Sequence, residues 1–563
     1  MGVEDAEGTV LMQLSTGHGE RTELPNDYLV VADRWGHGIM HTSRYPDTVV
    51  GDPVDWTLDA HDGSWQFRFH NMEYMFCIYR ALDETGEERY RELAVRLIRS
   101  WIAAHPETDP ESFPWMRHTT AMRAQALAFA AGYIPATEDY VAALRQHGAF
   151  LADPANYSGA WNHGFDESLA LLAVGATVDE KSWIDLAVQR ATDAISAMCD
   201  RQGATNEQAS VYHFYVWKQF GQFEEELDRC GLAHPPELRR REAILDYLVH
   251  ASQPNGYLVP VGDALQTPVP RLDGTVLEYP GYRGERGEPP ARRVQVFDRG
   301  WAFARTGWGT ERPFADESML TVRFGPGRAV HGHSDHTSFH YFAQGRQVIG
   351  DAGFSGYANP ERRAYELNEF GHSQVLVAGS GPYRAATDTE LVQHTEATEW
   401  EQFLLQDTPY RGVHRYRTIT FLHEPECLVV HDQVQVNAPN AIVRQLFHLG
   451  TTLELQEKSG NERLRFADKR GELEIRQLLP VSNIDASRGA RGLTTTGWAG
   501  VGLGKTAPGA VLTSRGQLEG QRCEYLTLIS PRPGIAVTTT TSSLHIESTT
   551  IPLPISLRST AHG

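Results

Sequence analysis

The sequence predicts an N-terminal helical array followed by a C-terminal antiparallel β-sandwich. Two observations predict it. From about residue 65 to 255 apolar residues recur at helical spacing, and after about residue 290 they alternate with polar ones in short β-branched runs. The chain of 563 residues has room for two or three domains.

The helical elements come first. RELAVRLIRSWIAA (91–104) sets Leu93, Val95, Leu97, Ile98, Trp101 and Ile102 at mixed three- and four-residue spacing, which reads as a buried stripe. MRAQALAFAAGYI, EDYVAALRQHGAFLA, FDESLALLAVGA and WIDLAVQRATDAISAM read likewise. Short breaks such as DETGE and HPETDPE part them. Roughly eight to ten helices are expected, with periods too loose for a solenoid. YRGERGEPPARR (282–293), rich in Gly, Pro and charge, reads as a linker. Beyond it come SMLTVRFG, TSFHYFAQGRQVIGDAG, SQVLVAG, RYRTITFLHEPECLVVHDQVQV, ELEIRQLLP and GIAVTTTTSS, each bounded by turn residues. Strands do not alternate with helices there, so the sheet is antiparallel. The expected division is an extension over 1–60, a helical domain over 61–285 and a β domain over 294–563.

Composition narrows the function. Lys and Arg number 51 against 72 Asp and Glu, a net charge of −21, which disfavours nucleic-acid binding. A polyanionic partner would be repelled at long range, so any anion site must be locally basic. No apolar run is long enough to span a bilayer, so no membrane partner is expected. The start, MGVEDAEGTVLMQ, lacks a basic stretch followed by an apolar one, so no secretory signal is expected; the protein stays inside the cell or has lost a leader. The five cysteines are scattered without a CxxC and read as buried thiols.

VHGHSDHTSFH (330–340) is the densest chemical stretch. Its HGHSDH spells HxHxDH, the pattern of metallo-β-lactamase-like hydrolases. That reading needs a helix after the motif and gives the helical half no role. The next residues, TSFHYFAQGRQVIGD, alternate and turn at Gln344-Gly345-Arg346. They read as a hairpin with Ser338, His340 and Phe342 on one face and Thr337, Phe339 and Tyr341 on the other.

A different constellation fits both halves. His331-Gly332-His333-Ser334-Asp335, then Asp351-Ala352-Gly353, then His372-Ser373-Gln374-Val375 resemble the β-domain motifs of the heparinase II/III-like polysaccharide lyases. NHGFDESLALL (162–172), NEQASVYHFYVWKQF (206–220) and SFPWMRHTTAMRAQ (112–125) resemble motifs of that family's helical half. The resemblance covers about 60–380. It implies an incomplete (α/α) toroid before the β-sandwich, a uronic-acid-containing polysaccharide or oligosaccharide as partner, and β-elimination giving 4,5-unsaturated uronate ends. Ser373 departs from the Asn usual in the family.

The chemistry assigns roles. The proton at C5 is weakly acidic because the adjacent carboxylate is already charged, so that carboxylate must first be neutralised by fixed donors. Asn162 and His163 match the family's neutralising pair; the plain alternative is that Asn162 caps a helix, with Asp166 and Glu167 favouring its dipole. Tyr212 matches the catalytic tyrosine, with a core aromatic as the alternative. As a base it would need a cation to offset a penalty of about 4 kcal/mol at neutral pH, for which His213, His331 and Arg117 are candidates. His331 can take the C5 proton while Tyr212 protonates the leaving O4, or Tyr212 can do both. The family's metal positions are His333, Asp351 and His372, a set that suits a structural Zn²⁺, with Asp335, His336 and His340 around it and His336 a possible further ligand. Arg117, His118, Tyr215, Tyr357 and Arg363 are expected substrate contacts, each with a surface or packing role as the alternative. Two rival classes are a glycoside hydrolase using Asp166, Glu167 or Glu207, and a non-catalytic glycan-binding protein. Alginate, heparan-type chains, hyaluronan and other glucuronate polymers all stay open.

Overall fold

The computed structural model describes residues 28–42, 45–357, 359–379, 387–437, 441–490, 496–540 and 542–553. The opening MGVEDAEGTVLMQ, read for a secretory signal, lies outside them. The chain divides into two units: Met1–Arg201 with Tyr215–Glu242, and Gln202–Phe214 with Ala243–Gly563. The glycine- and proline-rich 282–293 stretch lies inside the second.

The first unit is an incomplete (α/α) toroid. Arg117–Ala130 and Asn162–Thr177 are buried nearly all round, several polar side chains included, and pack on each other. Glu88–Ala104, Glu138–Ala152 and Lys181–Met198 each bury a single stripe and pack outside them. In Glu88–Ala104 that stripe is Tyr90, Leu93, Ala94, Leu97, Ile98 and Trp101. Val95 and Ile102, expected in it, are partly exposed on its flanks. A helix turns about 100° per residue, so position 95 faces away from position 93. Trp115 is core: with Trp101 it brackets the guanidinium of buried Arg123, at 5.2 and 3.9 Å from the ring centroids.

The second unit carries two large sheets whose pairings are all antiparallel. One orders Asn483–Arg488, Ala510–Arg515, Ile442–Leu449, Arg346–Gly350, Phe339–Ala343, Met319–Arg323, Trp301–Arg305 and Val294–Phe297, with Val375–Ala378 paired to Ile442–Leu449. The other centres on Val413–His423 paired to Glu426–Val436, in register from Val413↔Val436 to His423↔Glu426. Leu320, Val322, Phe339, Tyr341, Val348 and Phe447 of the first sheet meet Phe403, Ile419, Phe421, Val430, Phe466 and Leu473 of the second in one buried cluster. That makes a sandwich.

Phe339–Ala343 does turn back as a hairpin into Arg346–Gly350, pairing Ala343↔Arg346. Gln344 at φ 52° and Gly345 at φ 69° supply the two left-handed positions a tight hairpin turn requires. The helix a metallo-β-lactamase-like site needs is a strand here. Phe339 and Tyr341 enter the sandwich core, while the hairpin returns Asp351 to His340, Oδ2 to Nε2 at 3.4 Å. Ser373 supports backbone: its Oγ donates to the Gly350 carbonyl at 2.9 Å and accepts from the His448 amide at 2.9 Å.

Candidate active site

Five of the expected site residues lie in the helical unit and seven in the β unit. In the helical unit, helix Asn162–Thr177 starts at Asn162 itself; Trp161 holds the cap position, so Asn162 is not the capping residue. Asn162 is buried. Gly164 has no room for a side chain, since a Cβ would lie 1.8 Å from the Gly159 carbonyl oxygen. His163 stacks on His118, ring centroids 4.0 Å apart at 12°, with Trp161 on His163 and Phe67 on His118. Asp166 is the hub. Its Oδ2 pairs with His118 Nε2 at 3.0 Å and accepts from the Tyr215 hydroxyl at 2.9 Å, and its Oδ1 accepts from Gln219 Nε2 at 2.7 Å. Gln219 also donates to the Asn162 carbonyl at 3.0 Å. Asp166 therefore orients ring donors rather than serving the helix dipole. Glu167 accepts from Ser158 through both its amide and its hydroxyl. Arg117 is exposed and donates to the Ala155 carbonyl at 3.1 Å.

Buried Glu73 belongs to the same unit and accepts from Asn71 Nδ2 at 2.5 Å. Burial pushes its carboxyl up to about 7, against the pull of Arg68, His118 and Asn71. The folded chain thus holds this proton more tightly than an unfolded one. Its stabilising contribution is full below about pH 4.5 and is lost as pH rises through about 7. Glu73→Gln is expected to gain on the wild type by about 3 kcal/mol across that interval, read as the Tm difference in a pH series; parallel Tm curves would count against it.

In the β unit, Tyr212 and His331 are brought together. Their rings stack at 3.6 Å between centroids, 14° from parallel. Tyr212 is 4% exposed, and burial raises its phenol above the ordinary range. Of the cations considered for stabilising a tyrosinate, His213 is removed: burial drives it down to about 3, its Nε2 accepts from the Thr205 amide, and its ring lies on Tyr247. A buried, protonated phenol is suited to donate. The Tyr357 hydroxyl donates to Asp263 Oδ2 at 2.9 Å and stands 3.4 Å from the Tyr212 hydroxyl. Asp263 also takes Arg363 Nη1 at 2.5 Å and Nη2 at 2.7 Å, and His333 Nε2 at 2.8 Å. Burial would raise Asp263, but His333 and Arg363 hold it below the usual carboxylate range. Arg363 is thus engaged with a carboxylate, while Tyr357 is 43% exposed.

The expected metal residues sit side by side, with the His333 and His372 rings 5.4 Å apart. His372 Nε2 faces the Glu366 carbonyl at 3.0 Å, and its Nδ1 faces Asp351 Oδ2 at 3.1 Å. If Nε2–H donates to that carbonyl, Nδ1 meets the carboxylate either with a second proton or across a cation. His333 gives Nε2–H to Asp263, and its buried Nδ1 has no partner among the described residues. A ring whose far nitrogen is held by a carboxylate or carbonyl is the usual form of a metal-binding histidine, so the donor chemistry fits. Among the described residues, however, no three His, Cys, Asp or Glu side chains converge closely enough to hold an ion. Asp335 pairs instead with buried Arg323 at 3.2 Å, and His336 Nε2 lies 2.6 Å from the Pro326 carbonyl.

Sequence reasoning missed Asp263, and missed that Asp166 pairs with His118 and Tyr215 and Glu207 with His331. Asp263, in VPVGDAL, has no motif around it, and its partners His333 and Arg363 lie 70 and 100 residues away.

Residues 25–268 match the family model described as Heparinase II/III N-terminus, and residues 298–509 the one described as Heparinase II/III-like, C-terminal. Among solved structures, one titled Heparinase III shares 15% identity, covering 97% of this chain and 94% of its own, with a TM-score of 0.77. Heparan sulfate lyase HepC from Pedobacter heparinus shares 14%, covering 97% and 93%, with a TM-score of 0.72. A Paenibacillus xanthan lyase shares 9%, covering 96% and 62%, with a TM-score of 0.52. At such identities the likeness is one of fold. No curated protein matches the chain. The chain belongs to the heparinase II/III-like family. By that membership it is a polysaccharide lyase, a carbon–oxygen lyase with a polysaccharide as its partner, which sets aside the hydrolase and the non-catalytic readings.

Proposed function

We propose that the substrate is an anionic, uronate-containing polysaccharide or oligosaccharide, cut by β-elimination to leave a 4,5-unsaturated uronate end. The observation that carries this reading is the stack of a buried, protonated phenol, Tyr212, on the imidazole of His331. His331 removes the C5 proton and Tyr212 protonates O4; the role of Asn162 and His163 in neutralising the substrate carboxylate rests on the family resemblance alone. Tyr357 keeps a substrate-contact role, and His118 and Tyr215 act where Asp166 orients them. The test is a panel of uronate polymers followed at the ultraviolet band of the conjugated alkene. Growth of that band on at least one polymer is expected; new reducing ends without it would overturn the elimination.

We propose in addition that His333, Asp351 and His372, which lie near one another without converging on one point, close on a zinc ion when it binds. When bound, it would brace the segments that carry these three residues, and the elimination needs nothing further from it. The purified protein is expected to contain about one zinc per chain. His372→Ala should lose the metal and several degrees of Tm. A metal-free wild type with an unchanged Tm would sink this assignment.

A further inference from the structure

Glu207 and Gln208 precede the Tyr212 helix on the Gln202–Phe214 segment, which belongs to the β unit. Both side chains are spent on one loop of that unit. Gln208 Nε2 donates to the carbonyls of Pro326 at 3.3 Å and Gly327 at 3.1 Å, and its Oε1 accepts from the Ala329 amide at 2.6 Å. The His331 amide donates to the Glu207 carbonyl at 3.1 Å, and the His331 carbonyl accepts from the Asp263 amide at 2.9 Å. Gly332 fits only because it lacks a Cβ, which would lie 2.1 Å from Gln208 Oε1. Within this loop Val330 is held at φ 41°. For a β-branched residue that conformation costs on the order of 1–3 kcal/mol and persists only where the surroundings impose it.

The loop so held presents His331. The Glu207 side chain is wholly buried, and its Oε2 stands 2.7 Å from His331 Nδ1. The face of the imidazole is fixed by the Tyr212 stack. A carboxylate accepts and does not donate, so the single N–H of a neutral imidazole is drawn to Nδ1. Nε2 keeps its lone pair, and among the described residues it has no hydrogen-bond partner.

We propose that Glu207 is the positioning residue that fixes His331 in the tautomer able to act as base through Nε2. The inference rests on the elimination reading above and deepens it. Nε2 takes the C5 proton. The C5–H electron pair becomes the second bond between C4 and C5, the C4–O4 bond breaks, and O4 leaves with the proton of the Tyr212 hydroxyl. As Nε2 gains its proton, the already charge-assisted Nδ1–H bond to the Glu207 carboxylate becomes an imidazolium–carboxylate ion pair, so it strengthens as the reaction proceeds.

Glu207→Gln tests this, because the amide keeps the shape and reverses the polarity. Its NH₂ can donate to Nδ1, which moves the ring proton to Nε2 and blocks the base. A fall in kcat of about 10³–10⁴ is expected, with KM within about threefold, by analogy with the carboxylate-to-amide change in a serine-protease triad. Glu207→Gln should be no better than Glu207→Ala. A merely structural role predicts that the isosteric amide retains most activity, and that result would overturn the proposal. His331→Ala run beside it separates the two failures. Turnover surviving in His331→Ala removes the base assignment itself. An inactive His331→Ala with a near-wild-type Glu207→Gln removes only the role of Glu207. Nitrogen-15 histidine spectra of the wild type without substrate, with His331 assigned by its loss in His331→Gln, give an answer independent of activity. The Nδ1–H tautomer is expected, and an Nε2–H tautomer would refute the inference.

Discussion

Tyr212→Phe is expected to lower turnover of a uronate substrate about a thousandfold while leaving binding nearly unchanged. The substitution removes one oxygen from a ring that is almost fully buried and stacked on His331. Phenylalanine keeps that stack, so His331 stays in place and the loss is confined to the proton delivered to O4. Burial raises the phenol, and Asp263 and Glu207 push in the same direction, so the group is protonated at neutral pH and ready to donate. Without it O4 leaves as an alkoxide, a far poorer leaving group. The measurement pairs initial rates at the alkene band with calorimetric binding of the same oligosaccharide. Turnover within tenfold of wild type would remove Tyr212 from the reaction, and lost binding would make it a substrate contact instead.

Asp263→Ala is expected to destabilise the fold by about 3–5 kcal/mol. Its buried carboxylate is the common acceptor for the Arg363 guanidinium, His333 Nε2 and the Tyr357 hydroxyl. Removing it leaves a part-buried guanidinium without its principal counter-charge, at 15% side-chain exposure. Breaking one side of such a pair costs more than the pair contributes, because the remaining charge keeps its desolvation penalty. Asp263→Asn should fall between, since the amide oxygen still accepts but carries no charge. Urea denaturation with an unchanged m-value and a lower midpoint is the expected signature. A shift below about 1 kcal/mol would mean that Arg363 finds water or another acceptor.

Stability and chemistry meet at these two aspartates. Asp166 in the helical unit and Asp263 in the β unit each gather a ring or guanidinium donor and a tyrosine hydroxyl. Glu207 does the same for a single imidazole. The residues that resemblance marked for chemistry are thus held by buried carboxylates that resemblance did not mark.

The two halves were legible because their signals are local. A stripe such as Leu93, Leu97, Ile98 and Trp101 shows its period within one helix, and Gln344-Gly345 shows its turn within one hairpin. The pairing of Tyr212 with His331 was legible only through motif resemblance, since 119 residues of chain separate them and no periodicity links them. The faces of Val95 and Ile102 were misread because a loose apolar count ignores the angle each residue subtends. Asn162 was open between cap and donor until the helix start placed Trp161 at the cap.

Period and motif order by themselves determined a helical half and an antiparallel β half, because each is written in neighbouring residues; the imidazoles and phenol proposed for the chemistry were marked by resemblance. Only the tertiary structure decided which carboxylate answers which ring. An acidic side chain carries no mark of its partner in the sequence, and Asp263 meets Arg363 across 100 positions solely because the folded backbone delivers both to one buried spot.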